Sequence, residues 1–290
     1  MNELHDPTDL RECPIGIFDS GVGGLTVYRA LHDRLPNERF VYLGDTARVP
    51  YGTKSLETVE RYALENSRFL ASLGIKLLVV ACNTASALAL PSIRREVGSD
   101  VVGVIGPGGR KAIDVADCDH PRIGVIATEA TVASNAYAEA VRRSCEEAIV
   151  EQAACPLFVP LAEEGWTHEA ETYSIAERYL AGMRSFQPNA LVLGCTHYPI
   201  LKDVIQQTVG QSVKLIDSGE ATAEEVEALL LEKELFSLTT TLGPRSLCDD
   251  LDHFYVTDAA ERFARVAERF LGSPPSKLEA IEVYGQDSLG

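Results

Sequence analysis

Two cysteines of this chain lie where an apolar run gives way to polar, hydrogen-bonding residues. Cys82 lies in the segment 77–84 (LLVVACNT), and Cys195 lies in the segment 191–197 (LVLGCTH). If both runs are strands, each places a thiol at the carboxyl end of a buried parallel strand, where open α/β sheets bind ligands. Two thiols that face one substrate from opposite sides suit a reaction whose reactant and product are near mirror images.

The chemistry that such a pair can carry out is proton transfer at a carbon atom beside a carboxylate. One thiolate removes the proton from one face of the carbon, and the opposite thiol returns a proton to the other face. Acid–base groups work best when their pKa lies near the operating pH, and a free cysteine starts from about 8.5. A helix that begins after each cysteine would favour the thiolate form of both Cys82 and Cys195. A structural role as a small buried side chain is the alternative for each.

Neighbouring polar residues are candidates for assisting the two thiols. His197 lies two residues after Cys195 and could assist it, and Asp19 could be the corresponding helper of Cys82 or a simple helix cap. Glu163 could bind an ammonium group or orient His197, or it could lie in a solvent-exposed acidic turn. The further candidates, which can donate to a substrate carboxylate or cover the cleft, are Tyr51, Gly52, Asn83, Thr84 and Thr196.

A glycine-rich turn, residues 19–24 (DSGVGG), follows an apolar strand and opens a predicted helix. Its glycines fit neither the G-x-G-x-x-G spacing of dinucleotide-binding folds nor a P-loop, which disfavours nucleotide binding. Glycines allow the backbone to approach a ligand closely, and the free N–H groups at a helix start attract an anion. The turn is therefore as well suited to a carboxylate as to a phosphate.

Composition and charge restrict the class of protein. Of the 290 residues, 46% are apolar and 24% are charged, which is the ordinary balance of a globular protein. With a formal net charge of −17, the chain is not expected to bind nucleic acid. Neither a long apolar run nor a signal peptide is found, so no membrane association is expected. The seven cysteines form no Cys-x-x-Cys pair, which predicts reduced thiols, no metal site and a cytoplasmic location.

Strands alternate with helices along the chain, which predicts an α/β architecture with parallel sheets. The order of strand, polar turn, helix and cysteine-ended strand begins near residue 15 and again near residue 122. This loose duplication predicts two pseudo-symmetric domains, each a mainly parallel sheet flanked by helices, with the active site in the cleft between them. We assign residues 1–103 and 212–290 to a discontinuous first domain and residues 104–211 to the second. The predicted strands include 77–81, 156–160, 190–194, 213–217 and 253–256, and the predicted helices include 56–73, 168–184 and 220–234.

Four stretches of the chain together resemble the glutamate racemases of the aspartate/glutamate racemase superfamily. They are residues 16–27 (GIFDSGVGGLTV), 42–52 (YLGDTARVPYG), 81–87 (ACNTASA) and 193–201 (LGCTHYPIL). The resemblance extends over about residues 14–272, and four motifs in the right order are far more specific than any one of them.

The resemblance implies a cofactor-independent racemase that interconverts L- and D-glutamate and supplies D-glutamate for peptidoglycan, and so for cell wall biogenesis and cell shape. It implies that Cys82 deprotonates D-glutamate and Cys195 deprotonates L-glutamate, assisted by Asp19 and His197. No metal and no pyridoxal phosphate are expected, and a homodimer is expected because members of the family commonly dimerise. The residues implied to bind or line the substrate are Asp19, Ser20, Pro50, Tyr51, Gly52, Asn83, Thr84, Thr128, Thr131, Glu163, Thr196 and His197.

Other functions are compatible with the same residues. An aspartate racemase of the same two-cysteine superfamily is the first alternative, although residues 195–199 (CTHYP) resemble the glutamate enzymes more closely. The second alternative is a two-lobed amino-acid-binding protein with structural cysteines, which would bind its ligand without exchanging the α-proton. A secondary role in binding a protein partner is a third.

Overall fold

Parallel strands form two separate sheets in the computed structural model, which describes residues 9–239 and 245–283. The polar residues 1–14 read as a loose extension before the first strand, and part of this segment lies outside the described residues. The strands are β1 (Ile15–Asp19), β2 (Phe40–Gly44), β3 (Leu77–Val80), β4 (Asp100–Gly103), β5 (Arg122–Ala127), β6 (Ile149–Ala154), β7 (Ala190–Gly194), β8 (Lys214–Asp217), β9 (His253–Val256) and β10 (Leu278–Ala280).

Helices connect the strands and cover the faces of both sheets. The α-helices are α1 (Leu25–Arg34), α2 (Leu56–Ser72), α3 (Asn83–Leu88), α4 (Leu90–Glu96), α5 (Ile105–Ala116), α6 (Glu129–Ala133), α7 (Ala136–Ser144), α8 (Phe158–Glu164), α9 (Ala170–Phe186), α10 (Lys202–Val209), α11 (Ser218–Glu232) and α12 (Ala260–Leu271). Short 3-10 helices occur at Leu10–Glu12, Tyr51–Thr53 and Tyr198–Leu201. Among the helices of residues 9–239 and 245–283, none combines the length and the apolar character needed to cross a membrane.

The two sheets repeat one strand order. The first has the order β10-β9-β2-β1-β3-β4 and the second has the order β6-β5-β7-β8, and every pairing is parallel. The four strands β2-β1-β3-β4 thus correspond to β6-β5-β7-β8. In each sheet the order reverses beside the first strand, β1 or β5, and such a switch point opens the crevice in which α/β sheets bind ligands. The predicted fold class of two mainly parallel α/β domains is confirmed.

Burial on both faces explains the unbroken apolar runs of the central strands. All four residues of β3 (Leu77–Val80) are buried, and their side chains alternate between two hydrophobic clusters on opposite faces of the first sheet. The larger cluster continues across the domain boundary, from Ile17 and Tyr28 to Phe158 and Leu193. The two domains therefore share apolar packing as well as the cleft between them.

The chain returns to the first sheet after it has completed the second. Helix α11 packs against α1 and α5, and β9 then pairs with β2, with His253 opposite Val41. Strand β10 adds to β9, and α12 packs against α1. The residues that close the first sheet on this side therefore come from the end of the described chain.

Two local expectations from the sequence differ from the structure. Residues 156–160 do not form a strand, because β6 ends at Ala154 and α8 begins at Phe158. Strand β6 lies at an edge of the second sheet, and its polar, partly exposed residues lack the apolar run that marks the central strands. Strand β8 (Lys214–Asp217) pairs with β7 in the second sheet, although we assigned residues from 212 onward to the first domain. The physical reason is that β8 takes the place in the second sheet that β4 takes in the first.

Candidate active site

Cys82 and Cys195 line one cavity of about 160 Å³ between the two domains. Cys82 follows β3 and caps the N-terminus of α3, with the Ala85 N–H donating to its sulfur at 3.5 Å. Cys195 follows β7, the corresponding strand of the second sheet. The duplicated strand order therefore brings the carboxyl ends of two equivalent strands, and one thiol from each, to the same cleft.

Most of the predicted substrate residues border this cavity. Those that line it are Ser20, Pro50, Tyr51, Gly52, Asn83, Thr84, Thr128, Thr196 and His197. The other three, Asp19, Thr131 and Glu163, stand behind lining residues and contact them. The structure adds lining residues that the sequence did not predict: Val49, Thr53, Glu129, Pro156, Val159 and Pro160.

A series of polar contacts links Cys195 through His197 to Glu163. The Cys195 sulfur lies 3.8 Å from His197 Nδ1, and His197 Nε2 lies 3.1 Å from Glu163 Oε1. Burial disfavours the charged imidazole, but hydrogen bonds to Cys195 and Glu163 outweigh it and raise the pKa of His197 to about 10. Burial also opposes ionisation of Glu163, yet the hydrogen bond from His197 lowers its pKa. The arrangement is a protonated imidazole held between a thiol group and a carboxylate, so Glu163 orients His197.

The surroundings of Cys82 favour its protonated, neutral thiol form. Burial, together with the negative charge of Asp19, raises the pKa of Cys82 to about 12 despite the N–H of Ala85. The expectation that a helix start would favour the thiolate at both cysteines is therefore wrong for Cys82, because desolvation outweighs the helix dipole. The predicted helix directly after Cys195 is a 3-10 helix, Tyr198–Leu201, and the α-helix α10 begins only at Lys202.

The glycine-rich turn holds a carboxylate of its own. The Gly21 N–H donates to Asp19 Oδ2 at 3.0 Å, and the turn wraps its backbone around this side chain. Burial raises the pKa of Asp19 even though His197 and the N–H groups of the turn oppose the shift. The absence of side chains at two glycines also makes room for the site: a Cβ at Gly23 would collide with Thr196 and His197, and one at Gly24 would lie 2.5 Å from Asp19 Cβ.

Hydroxyl groups from both domains meet at one wall of the cavity. Thr84 Oγ1 lies 3.0 Å from Thr128 Oγ1 and 3.3 Å from Thr131 Oγ1, which are themselves 3.0 Å apart. Beside them, the Tyr137 hydroxyl donates to Asn83 Oδ1 at 2.6 Å. The Asn83 Nδ2 atom is buried and has no protein partner among the described residues, so it remains a donor for a ligand.

A buried polar network supports the loop that covers the cavity. Tyr51 donates its hydroxyl to Asp45, which also accepts from Arg48 Nε at 2.7 Å. Asn66 completes the network by donating to the Tyr51 hydroxyl at 3.0 Å and accepting from Arg48 at 3.0 Å. These hydrogen bonds explain why Asn66, a polar residue, lies among the buried side chains of α2. Because its hydroxyl is engaged here, Tyr51 contributes its ring and backbone to the cavity.

The apolar roof of the cavity comes from a segment whose predicted secondary structure is wrong. Pro156, Val159 and Pro160 approach the cavity from the start of α8, the segment that the sequence predicted as a strand. The signal available in the sequence was the pair of prolines, Pro156 and Pro160, because proline lacks the N–H that a paired strand donates. Among the described residues, no group of three or more histidine, cysteine, aspartate or glutamate side chains is arranged to hold a metal ion.

Comparison with known proteins gives one consistent result. The sequence pattern of the Asp/Glu/Hydantoin racemase family matches residues 15–226. A glutamate racemase of Geobacter metallireducens is 53% identical over 258 residues, which cover 89% of this chain and 92% of that protein. The crystal structure of glutamate racemase RacE1 from Bacillus anthracis superposes with a TM-score of 0.87 at 35% identity, covering 94% of this chain and 98% of the other. The Francisella tularensis enzyme in complex with D-glutamate gives a TM-score of 0.85 at 37% identity, covering 94% and 99%.

Proposed function

The chain belongs to the Asp/Glu/Hydantoin racemase family and, within it, to the glutamate racemases, and from this premise we propose that it interconverts L- and D-glutamate by proton transfer between two thiols. The family membership confirms the resemblance inferred from the sequence and the prediction of an amino-acid racemase. The observation that carries the mechanism is the placement of Cys82 and Cys195, from equivalent strands of two sheets, on one cavity.

The raised pKa of Cys82 supports a role for this thiol as the acid in the conversion of L-glutamate. A Cys82 with a pKa of about 12 carries its proton at neutral pH, and His197, with Nδ1 3.8 Å from the Cys195 sulfur, would stabilise the thiolate there when Cys195 acts as the base. L-glutamate would therefore lose its α-proton to the Cys195 sulfur, and the electron pair would remain on the α-carbon beside the carboxylate. Cys82 would then give its proton to the opposite face, which yields D-glutamate, a Cys195 thiol and a Cys82 thiolate. The return reaction reverses both transfers.

Groups other than lysine and arginine would hold the substrate. The residues that line the cavity in the described chain include no lysine or arginine, so carboxylates must be bound by hydroxyl, amide and N–H groups and by His197. Asn83 Nδ2, buried and unpartnered, is suited to a carboxylate, and Asp19 Oδ1, equally unpartnered, is suited to the substrate ammonium group. A buried polar atom without its partner costs about 1–3 kcal/mol, so binding that satisfies both atoms is favoured and selects an amino acid.

The cellular role that we propose rests on the resemblance to glutamate racemases. We place the enzyme in the cytoplasm, where its cysteines, all free thiols in the structure, remain reduced. There D-glutamate would supply peptidoglycan synthesis. A complementation experiment tests that role. A bacterium that lacks its own racemase should grow without added D-glutamate when it expresses this chain. The predicted homodimer would be tested by sedimentation of the purified protein.

Proton NMR with D-glutamate in deuterated water tests the activity and the mechanism together. We expect the wild-type protein to remove the α-proton signal while L-glutamate accumulates. Cys82→Ala and Cys195→Ala should each lose racemisation by at least about 10²-fold, since each lacks one of the two acid–base groups. Cys145→Ala is the matched control, because this cysteine lies outside the cavity lining, and it should behave as the wild type.

The outcomes separate the alternatives. If the wild type binds glutamate but leaves the α-proton in place, the chain is a binding protein and the racemase proposal fails. If either variant at Cys82 or Cys195 keeps its activity, the two-thiol mechanism is wrong. Aspartate measured in parallel should exchange far more slowly, because its shorter side chain cannot place both carboxylates on the same donors; faster exchange of aspartate would reassign the substrate.

A further inference from the structure

Helix α12, the last helix of the described residues, packs on the first domain and reaches across to the Cys195 side of the cavity. Arg262 Nη2 lies 3.0 Å from Glu163 Oε2, while the other carboxylate oxygen, Oε1, is bound to His197. Phe270 of the same helix places its ring edge-on to the His197 ring at a centroid distance of 6.1 Å. Two contacts of one helix therefore converge on the Glu163–His197 pair.

A second arginine fixes the backbone of the same segment. The Arg269 guanidinium donates to the carbonyl oxygen of Glu163, and its side chain covers Gly165 so closely that a Cβ there would lie 2.9 Å from Arg269 Cδ. Because Gly165 ends α8, the helix whose start forms the roof of the cavity, α12 holds α8 by its C-terminal end.

Exposure falls steadily along the chain of contacts. The side chain of Arg262 is 60% exposed, that of Glu163 is 16% exposed and that of His197 is 7% exposed. The carboxylate of Glu163 thus stands between a buried imidazole and a cation at the surface. With both oxygens engaged, it has little freedom to turn toward water and away from His197.

We propose that Arg262 is a positioning residue of the racemase, which holds Glu163 against His197 and thereby supports proton transfer at Cys195 but not at Cys82. This inference rests on the proposed function. We infer the one-sidedness from the polar contacts, since the Cys82 helper, Asp19, accepts from N–H groups of the glycine-rich turn and makes no described hydrogen bond or ion pair with α12. Arg262 therefore acts from one domain on a thiol of the other.

Arg262→Ala tests the proposal, with Arg265→Ala as the matched control. Arg265 lies on the same helix, is exposed, makes no described contact with Glu163 and changes the net charge equally. We expect Arg262→Ala to lose about two- to five-fold in kcat/KM, the range of a partly exposed ion pair. The loss should shrink at about 1 M salt, which screens the wild-type pair, and Arg262→Lys should recover part of it.

Isotope effects show which proton transfer is affected. L- and D-glutamate have equal free energies, so kcat/KM must fall equally in both directions and cannot reveal a side. If the transfer at Cys195 becomes slower, the effect of α-deuteration should rise for L-glutamate and fall for D-glutamate in Arg262→Ala. Arg265→Ala should leave both isotope effects at their wild-type values.

The proposal and the underlying function fail in different ways. If the wild type does not racemise glutamate, the proposed function is wrong. If it does, and Arg262→Ala matches Arg265→Ala in rate and isotope effects, the role of Arg262 is refuted while the function stands. A loss of rate in which the isotope effects of L- and D-glutamate change equally relative to the wild type would also refute the role of Arg262. Thermal unfolding of each variant, with Arg262→Gln as a second neutral replacement, separates a misfolded protein from a mispositioned one.

Discussion

Replacement of Gly24 by alanine should damage catalysis more than stability. Gly24 starts α1 with an ordinary helical φ of −60°, so the conformation of its backbone is open to any residue. The obstacle is space: the new Cβ would lie 2.5 Å from Asp19 Cβ and 2.9 Å from the Tyr42 hydroxyl oxygen. Ordinary contact begins at 3.4 Å, so the first pair is short by 0.9 Å (3.4 − 2.5). Both Cβ atoms are fixed to the backbone, and therefore the end of β1 must move away from α1.

The expected size of the effect follows from this displacement. A misplacement of about 1 Å at a reacting group costs on the order of 10²-fold in rate, so we expect kcat to fall about 10- to 100-fold in Gly24→Ala. Overpacking costs about 1–3 kcal/mol in stability, which leaves a domain of ordinary stability folded. Gly98→Ala is the control, because nothing lies within 4 Å of an added Cβ at that position.

Racemisation followed by circular dichroism, together with thermal unfolding, measures both quantities. A Gly24→Ala protein that melts at a lower temperature but keeps kcat within about three-fold of the wild type would refute the argument, since the position of Asp19 would then not matter to the reaction. An equal loss of activity in Gly98→Ala would show that the effect does not come from the packing against Asp19.

Three further predictions concern buried charges. Glu163→Gln should lower the pKa of His197 below its present value of about 10, because the charged acceptor is lost; an unchanged midpoint in an NMR titration of the ring would contradict this. Burial lowers the pKa of His32 from 6.5, so the unfolded chain binds the proton more strongly, and the free energy of unfolding should fall as the pH drops below about 6.5. Urea unfolding at about pH 7.5 and about pH 5.5 should show this loss, and His32→Leu should reduce it. Lys76→Met should cost about 3–5 kcal/mol by leaving Glu38, its partner at 2.5 Å, buried without a countercharge, and adding Glu38→Gln should restore part of the stability in denaturant unfolding.

The parts of the site that sequence could predict are those in which chemistry and secondary structure coincide. Cys82 and Cys195 each follow an apolar run long enough to mark a central strand, so their place at the carboxyl end of a sheet could be inferred. The polar turn after Asp19 could be recognised for the same reason. In each case the functional residue lies beside the pattern that positions it.

The parts that could not be predicted depend on contacts between distant segments. The raised pKa of Cys82 results from its burial and from the nearby charge of Asp19, which no local pattern records. The partner of Glu163, Arg262, lies 99 residues further along the chain. Edge strand β6 has no continuous apolar run, and its polar residues concealed both the strand and the helix after it. Strand β8 belongs to the second sheet because it pairs with β7, and its own sequence does not indicate that pairing.

The discontinuous first sheet sets the order in which the chain can fold. All four strands of the second sheet lie between residues 122 and 217, so on the ribosome this sheet can close before β9 has been synthesised. Strand β2 must wait as an open edge until His253–Val256 arrive, and open edges are where nascent chains associate wrongly. The same late segment carries Arg262. This later segment therefore both seals the first sheet and brings the arginine to the Cys195 side of the cavity, so that a chain truncated before it would have neither.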